Sequence, residues 1–234
     1  MKFKNRVKKT AVVAAAGSGS RMNSEQNKQF LMIGAYPLLA VTLLKLSFSD
    51  YIDEIIIAAR ECDIVTVMNL INEFGIKKIS HIIPGGDTRQ QSVFNALREA
   101  EDDSLALIHD GARPFFSEDL LLELTKAALK YGAAAPGIKP KDTISQIDGE
   151  GFFVNTEERS SLRALQTPQV FKTSLIKSAH EKAKAEGLEF TDDCSLFAHY
   201  GGKVFITDGE ENNIKITVPE DIPIAGMLME EYGI

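Results

Sequence analysis

Residues 11–30, with the sequence AVVAAAGSGSRMNSEQNKQF, decide the fold that we expect this chain to adopt. The apolar run at residues 11–16 predicts a buried strand, which breaks into a GSGS loop at residues 17–20. Glycine lets a backbone approach a ligand closely and turn its N–H groups toward anionic oxygens. Two cations, Arg21 and Lys28, follow the loop. The strand, the glycine loop and the paired cations together predict a phosphate-binding site.

The first loop differs from two better-known phosphate loops. It lacks the GxxxxGK[ST] spacing of a P-loop, because Lys28 lies too far beyond Gly19. It also lacks the third glycine of GxGxxG, since Met22 stands there. A dinucleotide-dependent oxidoreductase is therefore an alternative that the loop disfavours. A nucleotide-binding regulatory module without catalysis is another, but such a module would not need Lys28 and Lys215 together.

Length and charge limit the class of protein. The 234 residues are enough to bury a core without disulfides or metals, and we expect a single domain over residues 1–234. The net charge of −7 argues against a nucleic-acid partner, which needs a basic face. No apolar run reaches the length of a membrane span, so we expect no membrane partner. An anionic ligand must then be held by a local cluster of cations.

The two cysteines suggest a reducing compartment. Cys62 and Cys194 lie far apart and form no CxxC pattern. We interpret both as reduced, buried thiols of a cytoplasmic protein. Neither has a histidine near it in the sequence, which disfavours a catalytic role.

Strand and helix patterns alternate along the chain. Apolar strand-like runs follow the first one at residues 55–59, 79–83, 105–109, 133–138 and 203–207. Helical periodicity fills the gaps, as in the helix predicted between Ser117 and Gly132, and Thr217 with Glu220 predicts a capping box before the last helix. This alternation predicts an α/β fold, a three-layer sandwich around a mostly parallel twisted sheet. Ligands of such sheets bind at the carboxyl ends of the strands.

One segment, residues 139–163, breaks the alternation. Two strand-like runs, residues 143–147 and 152–156, flank the sequence DGEG at residues 148–151. An Asp-Gly loop between such runs predicts a β-hairpin. Because a lone two-stranded hairpin is marginal in water, we expect this protruding arm to pack on another surface, such as a second subunit.

Two further motifs follow predicted strands. In PGGDTRQQS, residues 84–92, the glycines permit close approach, while Asp87 and Ser92 are placed to bind a base or a ribose; a plain turn with a helix cap is the alternative. In HDGARP, residues 109–114, Asp110 ends a strand where a carboxylate commonly meets a substrate hydroxyl or a metal, and a local ion pair is the alternative. We interpret His109 as a packed strand residue.

Taken together, the motifs resemble those of the 2-C-methyl-D-erythritol 4-phosphate cytidylyltransferase family. The series, in order, is AAGSGSRM…NKQF, PGGDTRQQSV, HDGARPF, KDT, QTPQVF, TDDCSLF and NIKIT. The chain departs from the family pattern at Asn27, where members often carry proline, and at Gly111, where they carry alanine. The resemblance implies a glycosyltransferase-A/nucleotidyltransferase-like fold, a homodimer with an exchanged β-arm, and Mg²⁺-dependent transfer of CMP from CTP to a polyol phosphate. A ribitol 5-phosphate cytidylyltransferase is the alternative within this class.

The resemblance also implies roles for individual residues. The catalytic cations would be Arg21, Lys28, Arg159 and Lys215. The residues that bind CTP would be Ala15, Ala16, Gly17, Ser18, Gly19, Gly85, Asp87, Ser92 and Asp110. The residues around the sugar phosphate, some from the partner's arm, would be Asp110, Arg113, Thr143, Arg159, Thr167, Thr191 and Lys215. Asp110 is also the candidate metal ligand.

Overall fold

The structure, a computed structural model, describes residues 6–17 and 27–232. Its strands are β1 Lys9–Ala14, β2 Met32–Ile33, β3 Tyr36–Pro37, β4 Glu54–Ala59, β5 Ile79–Pro84, β6 Leu105–Asp110, β7 Ala133–Ile138, β8 Ser145–Ile147, β9 Phe153–Thr156, β10 Ala164–Leu165, β11 Gln169–Lys172 and β12 Phe205–Asp208. Its α-helices are α1 Leu38–Phe48, α2 Ile64–Glu73, α3 Arg89–Leu97, α4 Glu118–Tyr131, α5 Thr173–Glu186, α6 Asp193–His199 and α7 Asp221–Tyr232. Short 3₁₀ helices span Lys28–Phe30, Glu61–Asp63 and Arg159–Ser161.

The central sheet is mixed and mostly parallel. Its order is β10-β7-β11-β6-β1-β4-β5, and β12 pairs with β7. Strand β1 runs parallel to both β4 and β6, and β4 runs parallel to β5. Strand β11 is inserted antiparallel between β6 and β7. The predicted α/β fold is confirmed, but the antiparallel insertion was not predicted from the sequence.

Side chains of β1 alternate between two apolar layers. Ala11 and Val13 join the core formed with α1, α2 and α4, whereas Val12 joins the core formed with α3, α5 and α6. All three side chains are fully buried. Strands that are covered on both faces have continuous apolar sequences, which explains why residues 11–16 contain no polar position.

The bounds of β1 differ from the prediction, in part because a charged residue is buried at its start. β1 begins at Lys9, two residues before the apolar run, because the Lys9 ammonium bonds the Asp53 carboxylate at 2.9 Å. The paired ammonium allows Lys9, which is 4% exposed, to lie in a buried strand. β1 also ends at Ala14, so the chain enters its loop earlier than predicted. The last predicted strand, residues 203–207, is found at Phe205–Asp208.

Helix termini confirm one capping prediction and correct another. The Ser117 hydroxyl accepts a hydrogen bond from the Leu120 N–H at 3.0 Å, and Gly132 ends α4 with a φ of 95°. The predicted capping box of Thr217 and Glu220 is wrong. Asp221 performs this role, because its carboxylate accepts hydrogen bonds from the backbone N–H and the hydroxyl of Thr217.

The predicted hairpin is present. Strands β8 and β9 pair antiparallel, and the Asp148 carboxylate accepts hydrogen bonds from the N–H groups of Glu150 and Phe152 in the turn. Its apolar side chains Ile147, Phe152, Phe153 and Val154 are between 56% and 68% exposed. The arm therefore presents an uncovered apolar surface. Among the described helices, none has the length and hydropathy needed to cross a membrane.

The two cysteines differ in exposure. Cys194 is buried, as predicted, and burial raises the pKa of its thiol. Cys62 is exposed, so the prediction for it is wrong. It lies in the 3₁₀ turn Glu61–Asp63 after β4, on the surface of the molecule.

This difference predicts one rapidly reacting thiol. We expect a disulfide reagent such as DTNB to modify Cys62 quickly in the native protein, because thiol exchange requires an accessible thiolate. Cys194 should react only after denaturation. The variant Cys62→Ser serves as the control and should lose the fast phase. Rapid reaction of both thiols, or of neither, would contradict the structure.

Candidate active site

A pocket of about 540 Å³ opens at the carboxyl ends of the central parallel strands. This volume is in the usual range for a small-ligand site. Its lining includes Ala14, Ala16, Gly17, Lys28, Gln29, Arg60, Gly86, Asp87, Thr88, Arg89, Ser92, Asp110, Ala112, Lys215 and Thr217. Segments far apart in the sequence thus meet at the edge of the sheet where parallel α/β folds bind ligands.

The two glycine loops meet in this pocket. The Ala15 N–H donates to the Ala58 carbonyl at 2.8 Å, and the Gly85 N–H donates to the Ala59 carbonyl at 2.7 Å. A Cβ atom on Gly85 would lie 2.5 Å from the Cβ of Ala16, so any larger residue would force the loops apart. Gly85 is therefore required by close backbone packing.

Ser92 shapes the second glycine loop from inside. Its hydroxyl accepts a hydrogen bond from the Gly86 N–H at 3.0 Å and donates to the Thr88 carbonyl at 2.9 Å. The side chain is 2% exposed. Thr88 caps α3 by accepting from the Gln91 N–H. These bonds hold the loop over the start of α3, with Gly86 and Asp87 lining the pocket.

Asp110 is the charged centre of the site. One of its oxygens accepts a hydrogen bond from Arg89 Nε at 3.1 Å, and the other accepts one from Lys215 Nζ at 2.7 Å. Arg113 Nε lies 3.9 Å from the second oxygen. Burial alone would raise the pKa of Asp110, but the three cations outweigh it and hold the pKa well below its usual range. Asp110 is therefore ionised throughout the neutral range.

Arg89 joins two sides of the pocket. Its Nη1 donates to the Asp193 carboxylate at 2.7 Å, and the other Asp193 oxygen lies 3.0 Å from His180 Nε2. Asp193 is 1% exposed. Burial would raise the pKa of Asp193, but Arg89 and then His180 lower it. The guanidinium thus bridges Asp110 to the segment that begins α6.

A second group of charges holds the turn that carries Lys28. The Asn27 side chain accepts a hydrogen bond from the Gln29 N–H at 3.2 Å and donates to the Asp63 carboxylate at 2.7 Å. Arg60 grips the same carboxylate through Nε at 2.6 Å and Nη2 at 3.1 Å. Both Lys28 and Arg60 line the pocket. The 3₁₀ turn of Lys28 is thereby fixed to the end of β4.

Cations outnumber carboxylates around the pocket. Lys28, Arg60, Arg89 and Lys215 line it, whereas Asp87 and Asp110 are the lining carboxylates in the part of the chain that the structure describes. The net charge of the whole chain is −7, so this positive patch is local. An excess of cations in a cleft attracts and concentrates anions, here a polyanion.

Comparison with known proteins gives the family. Residues 9–231 match the family described as 2-C-methyl-D-erythritol 4-phosphate cytidylyltransferase, IspD. The chain belongs to this family. A relative of that name from Clostridium acetobutylicum is 44% identical over 96% of this chain and 98% of its own length. One from Clostridium novyi is 42% identical over 95% and 97%. The solved 4-diphosphocytidyl-2C-methyl-D-erythritol synthase of Anaerococcus prevotii aligns with a TM-score of 0.84 at 34% identity, covering 96% of this chain and 99% of that one.

Most residues expected to act in an IspD protein meet in or beside the pocket. Those that line it are Ala16, Gly17, Lys28, Asp87, Ser92, Asp110 and Lys215. Ala15 and Gly85 support it from behind. Arg113 and Thr167 contact Asp110, and Thr191 is exposed two residues before Asp193. Ser18, Gly19 and Arg21 lie outside the described residues.

Two expected residues are not in the pocket of their own chain. Thr143 and Arg159 belong to the arm, and both are exposed. Arg159 donates through Nε to the Pro140 carbonyl at 3.0 Å and does not line the pocket. Their roles stay predictions that depend on a second subunit.

Sequence reasoning missed Arg60 and Arg89. Arg89 carries a signal in the sequence, because it precedes Ser92 by three positions at the start of a predicted helix and so lies on the same helix face. Arg60 carries a weaker one, because it directly follows the apolar run at residues 55–59, where a strand meets the ligand edge. The carboxylate partners of Arg89, which lie 21 and 104 positions away, could not be identified from spacing.

The Arg89 bridge predicts a pH-dependent loss of stability. In Arg89→Met, two buried carboxylates lose a cation, and we expect unfolding free energy to fall by about 3 kcal/mol at pH 7. Because Arg89 depresses both carboxylate pKa values, its contribution is fully present above the unfolded pKa near 4 and is lost as pH falls below it, through the lower pKa values of the folded state. Urea titrations at pH 7 and at a pH well below 4 measure the gap in unfolding free energy between wild type and variant. Arg98→Met, an exposed change just after the same helix, should have little effect, and a gap that does not narrow in acid would contradict the ionic role.

Proposed function

We propose that the pocket transfers CMP from CTP to 2-C-methyl-D-erythritol 4-phosphate and releases pyrophosphate, in the non-mevalonate route to isoprenoids. Members of the family are named for this activity, and one observation supports its location in the pocket. Asp110, held by Arg89 and Lys215, lies in the same pocket as the glycine loops and Lys28. The pocket therefore contains groups that are complementary to a polyanion and to a hydroxylated phosphate ester.

The nucleotide side of the pocket is formed by the two glycine loops. Gly17, Gly86 and Asp87 line it, and a nucleotide can approach this glycine backbone closely. The Ser92 hydroxyl already has a donor and an acceptor within its loop. Ser92 therefore supports CTP chiefly by fixing the loop that contacts it.

The acceptor side is formed around Asp110. Arg113 and Thr167 contact this residue, and Thr191 begins the segment that Arg89 ties to it. An ionised carboxylate accepts hydrogen bonds from hydroxyls, and a guanidinium can hold a phosphate through two parallel bonds. This pairing of groups suits a polyol phosphate.

The chemistry requires positioning and charge neutralisation. The nucleophile is already an anionic phosphate oxygen, so no strong general base is required. The main obstacle is repulsion between that phosphate and the triphosphate. Lys28 and Lys215 lower this repulsion and stabilise the charge that builds on the α-phosphate. The carboxylate of Asp110, 2.7 Å from Lys215 Nζ, keeps that ammonium directed before the substrates bind.

The residues of the pocket also fit a Mg²⁺ ion. Mg²⁺ commonly binds one or two carboxylates together with substrate phosphates. Each Asp110 oxygen accepts one cationic donor and retains a lone pair, and Asp87 is the second carboxylate of the pocket. No cluster of three or more His, Cys, Asp or Glu side chains occurs within residues 6–17 and 27–232. Asp110 would hold the ion, which when bound would neutralise phosphate charge.

A turnover assay tests the proposed activity. Pyrophosphate release should require CTP, Mg²⁺ and 2-C-methyl-D-erythritol 4-phosphate together. Ribitol 5-phosphate is the comparison acceptor, because it presents the same phosphate on a different carbon skeleton. Faster release with ribitol 5-phosphate would replace the proposed acceptor, and no release with either would overturn the activity.

A cytoplasmic location follows from the same proposal. The two cysteines, Cys62 and Cys194, form no disulfide. Free thiols are usual in a reducing compartment. Fractionation of cells that express the chain at native level would test this location.

Lys28 is predicted to act on the transition state. In Lys28→Ala we expect turnover to fall by about 10²–10³-fold, the usual effect of removing one group that stabilises transition-state charge. The fold should be retained, because the turn is held by Asn27. Steady-state kinetics and thermal unfolding measure the two effects. Lys126→Ala, which removes a surface lysine of α4, is the matched control, and near-normal turnover in Lys28→Ala would exclude the catalytic role.

We propose further that the chain is a homodimer in which each arm completes its partner's pocket. The apolar side chains of the arm are more than half exposed in the single chain, and a partner would cover them. Thr143 and Arg159 lie on this arm and outside the pocket of their own chain. Exchange of arms would bring a guanidinium to the acceptor phosphate.

Subunit complementation distinguishes an exchanged arm from one that acts in its own chain. Lys28→Ala and Arg159→Ala should each be nearly inactive alone. In a mixed dimer, the pocket with intact Lys28 receives the intact arm of its partner. Refolding an equal mixture should therefore restore about one quarter of wild-type activity, since half of the dimers are mixed and one of two sites is intact in each.

The control mixes wild-type subunits with subunits that carry both Lys28→Ala and Arg159→Ala. With exchanged arms that mixture should fall to about one quarter of wild-type activity, half that of its wild-type component, because both pockets of each mixed dimer lack one of the two residues. Tagged subunits verify that mixed dimers form. Mixed dimers without restored activity, or a monomer at micromolar concentration in sedimentation, would contradict arm exchange.

A further inference from the structure

His109, which the proposed mechanism does not use, lies directly beneath the pocket. Its side chain is fully buried on β6, one residue before Asp110. The ring meets Phe116 edge to face, with centroids 4.9 Å apart. Its Nε2 lies 2.9 Å from the Arg113 carbonyl, and its Nδ1 lies 3.0 Å from the Thr167 hydroxyl. Both ring nitrogens are thus engaged in hydrogen bonds.

The partners of the ring determine its tautomer. A carbonyl oxygen only accepts, so Nε2 carries a hydrogen and donates to the Arg113 carbonyl. The Thr167 hydroxyl also receives the Asp110 N–H, so its own hydrogen has an acceptor in this contact only if Nδ1 is unprotonated and the imidazole is neutral. A neutral ring with a hydrogen on Nε2 has none on Nδ1. The hydrogen in the Thr167 contact must then come from the hydroxyl.

This assignment determines what Thr167 can offer. Its hydroxyl oxygen also accepts a hydrogen bond from the Asp110 N–H at 3.1 Å. The single hydroxyl hydrogen points at His109, and one of the two lone pairs is used by Asp110. One lone pair of the Thr167 hydroxyl remains. This oxygen is hydrogen-bonded to the backbone N–H of Asp110, the residue at the centre of the site.

We infer that His109 is a positioning residue that makes Thr167 a hydrogen-bond acceptor, both for the Asp110 N–H and for a hydroxyl of the bound polyol phosphate. This inference rests on the proposed function. His109 touches no substrate. It acts by accepting the hydroxyl hydrogen of Thr167. Without this acceptor, the hydrogen could turn toward the ligand, and two hydrogen-bond donors would then face each other.

Two substitutions separate the two bonds of the ring. The amide oxygen of His109→Asn takes the place of Nδ1 and can still accept from Thr167. The amide nitrogen of His109→Gln takes the place of Nε2 and can still donate to Arg113. Both variants lose the ring contact with Phe116 and one hydrogen bond. They therefore serve as matched controls for packing.

We expect the KM for 2-C-methyl-D-erythritol 4-phosphate to be about fivefold higher in His109→Gln than in His109→Asn, the effect of one neutral hydrogen bond. The KM for CTP should be the same in both. A merely structural role would change both constants alike in both variants. Equal KM values for the polyol phosphate, or a matching change for CTP, would overturn the inference.

A double-mutant cycle tests whether His109 acts through Thr167. In the Thr167→Val background, His109→Gln should change the KM for the polyol phosphate by less than about twofold, because coupled residues are not additive. Persistence of the full effect would overturn the inference.

A direct measurement needs no stable variant. Nitrogen-15 NMR of the chain labelled in its four histidines should show, for the ring in contact with Phe116, a protonated Nε2 and an unprotonated Nδ1 at neutral pH. If no such ring is present, the inference is wrong. If wild type releases no pyrophosphate, the proposed function fails, while the tautomer measurement still decides the state of His109.

Discussion

The ion pairs of Asp110 are the interaction on which the rest of the site depends. Asp110 is 7% exposed, so its carboxylate is stable as an anion only because Arg89 and Lys215 donate to it. These two cations come from α3 and from the segment before α7, more than 120 positions apart. A buried charge that needs several partners forces distant segments to meet in one geometry. The pocket is the space that this meeting leaves open.

The same ionic chain joins the two halves of the pocket. Arg89 starts α3, whose preceding loop is the proposed nucleotide side, and it bonds Asp193, next to the proposed acceptor side. A guanidinium suits this position because its planar fork can hold two carboxylates in fixed directions, whereas an ammonium is a single point charge. A shift of the loop before α3 would therefore be transmitted to Asp193 through a rigid group.

The fold was predictable because its signals are local. Apolar runs and caps such as Ser117 and Gly132 fix the elements and their order, and parallel strands bring their carboxyl ends together whatever the side chains are. Glycine loops beside such ends then indicate the pocket. The contacts inside the site were not predictable in this way. Arg89 and Asp193 are 104 positions apart, and no spacing rule pairs them.

Other features were missed for related physical reasons. Strand β11 is four residues long and is stabilised by pairing with β6 and β7, so its pattern alone is too short to identify it. Cys62 lies in the 3₁₀ turn that follows the apolar strand β4. Arg60 and Asp63 bond each other across this turn, and Cys62 is exposed. The tautomer of His109 depends on a carbonyl and a hydroxyl that only the folded chain brings together.

The two departures from the family pattern are compatible with the same site. Asn27 has φ −60° and ψ 126°, angles that proline also adopts, so the backbone that presents Lys28 is the one a proline would give. The asparagine side chain adds a link to Asp63 that proline could not make. At Gly111, a Cβ atom would lie 3.0 Å from Gln29 Oε1 and 3.1 Å from Leu39 Cδ1. An alanine there would require Gln29 to move, and Gln29 follows Lys28 in the same turn. The residue beside Asp110 and the turn that carries Lys28 are therefore packed against each other.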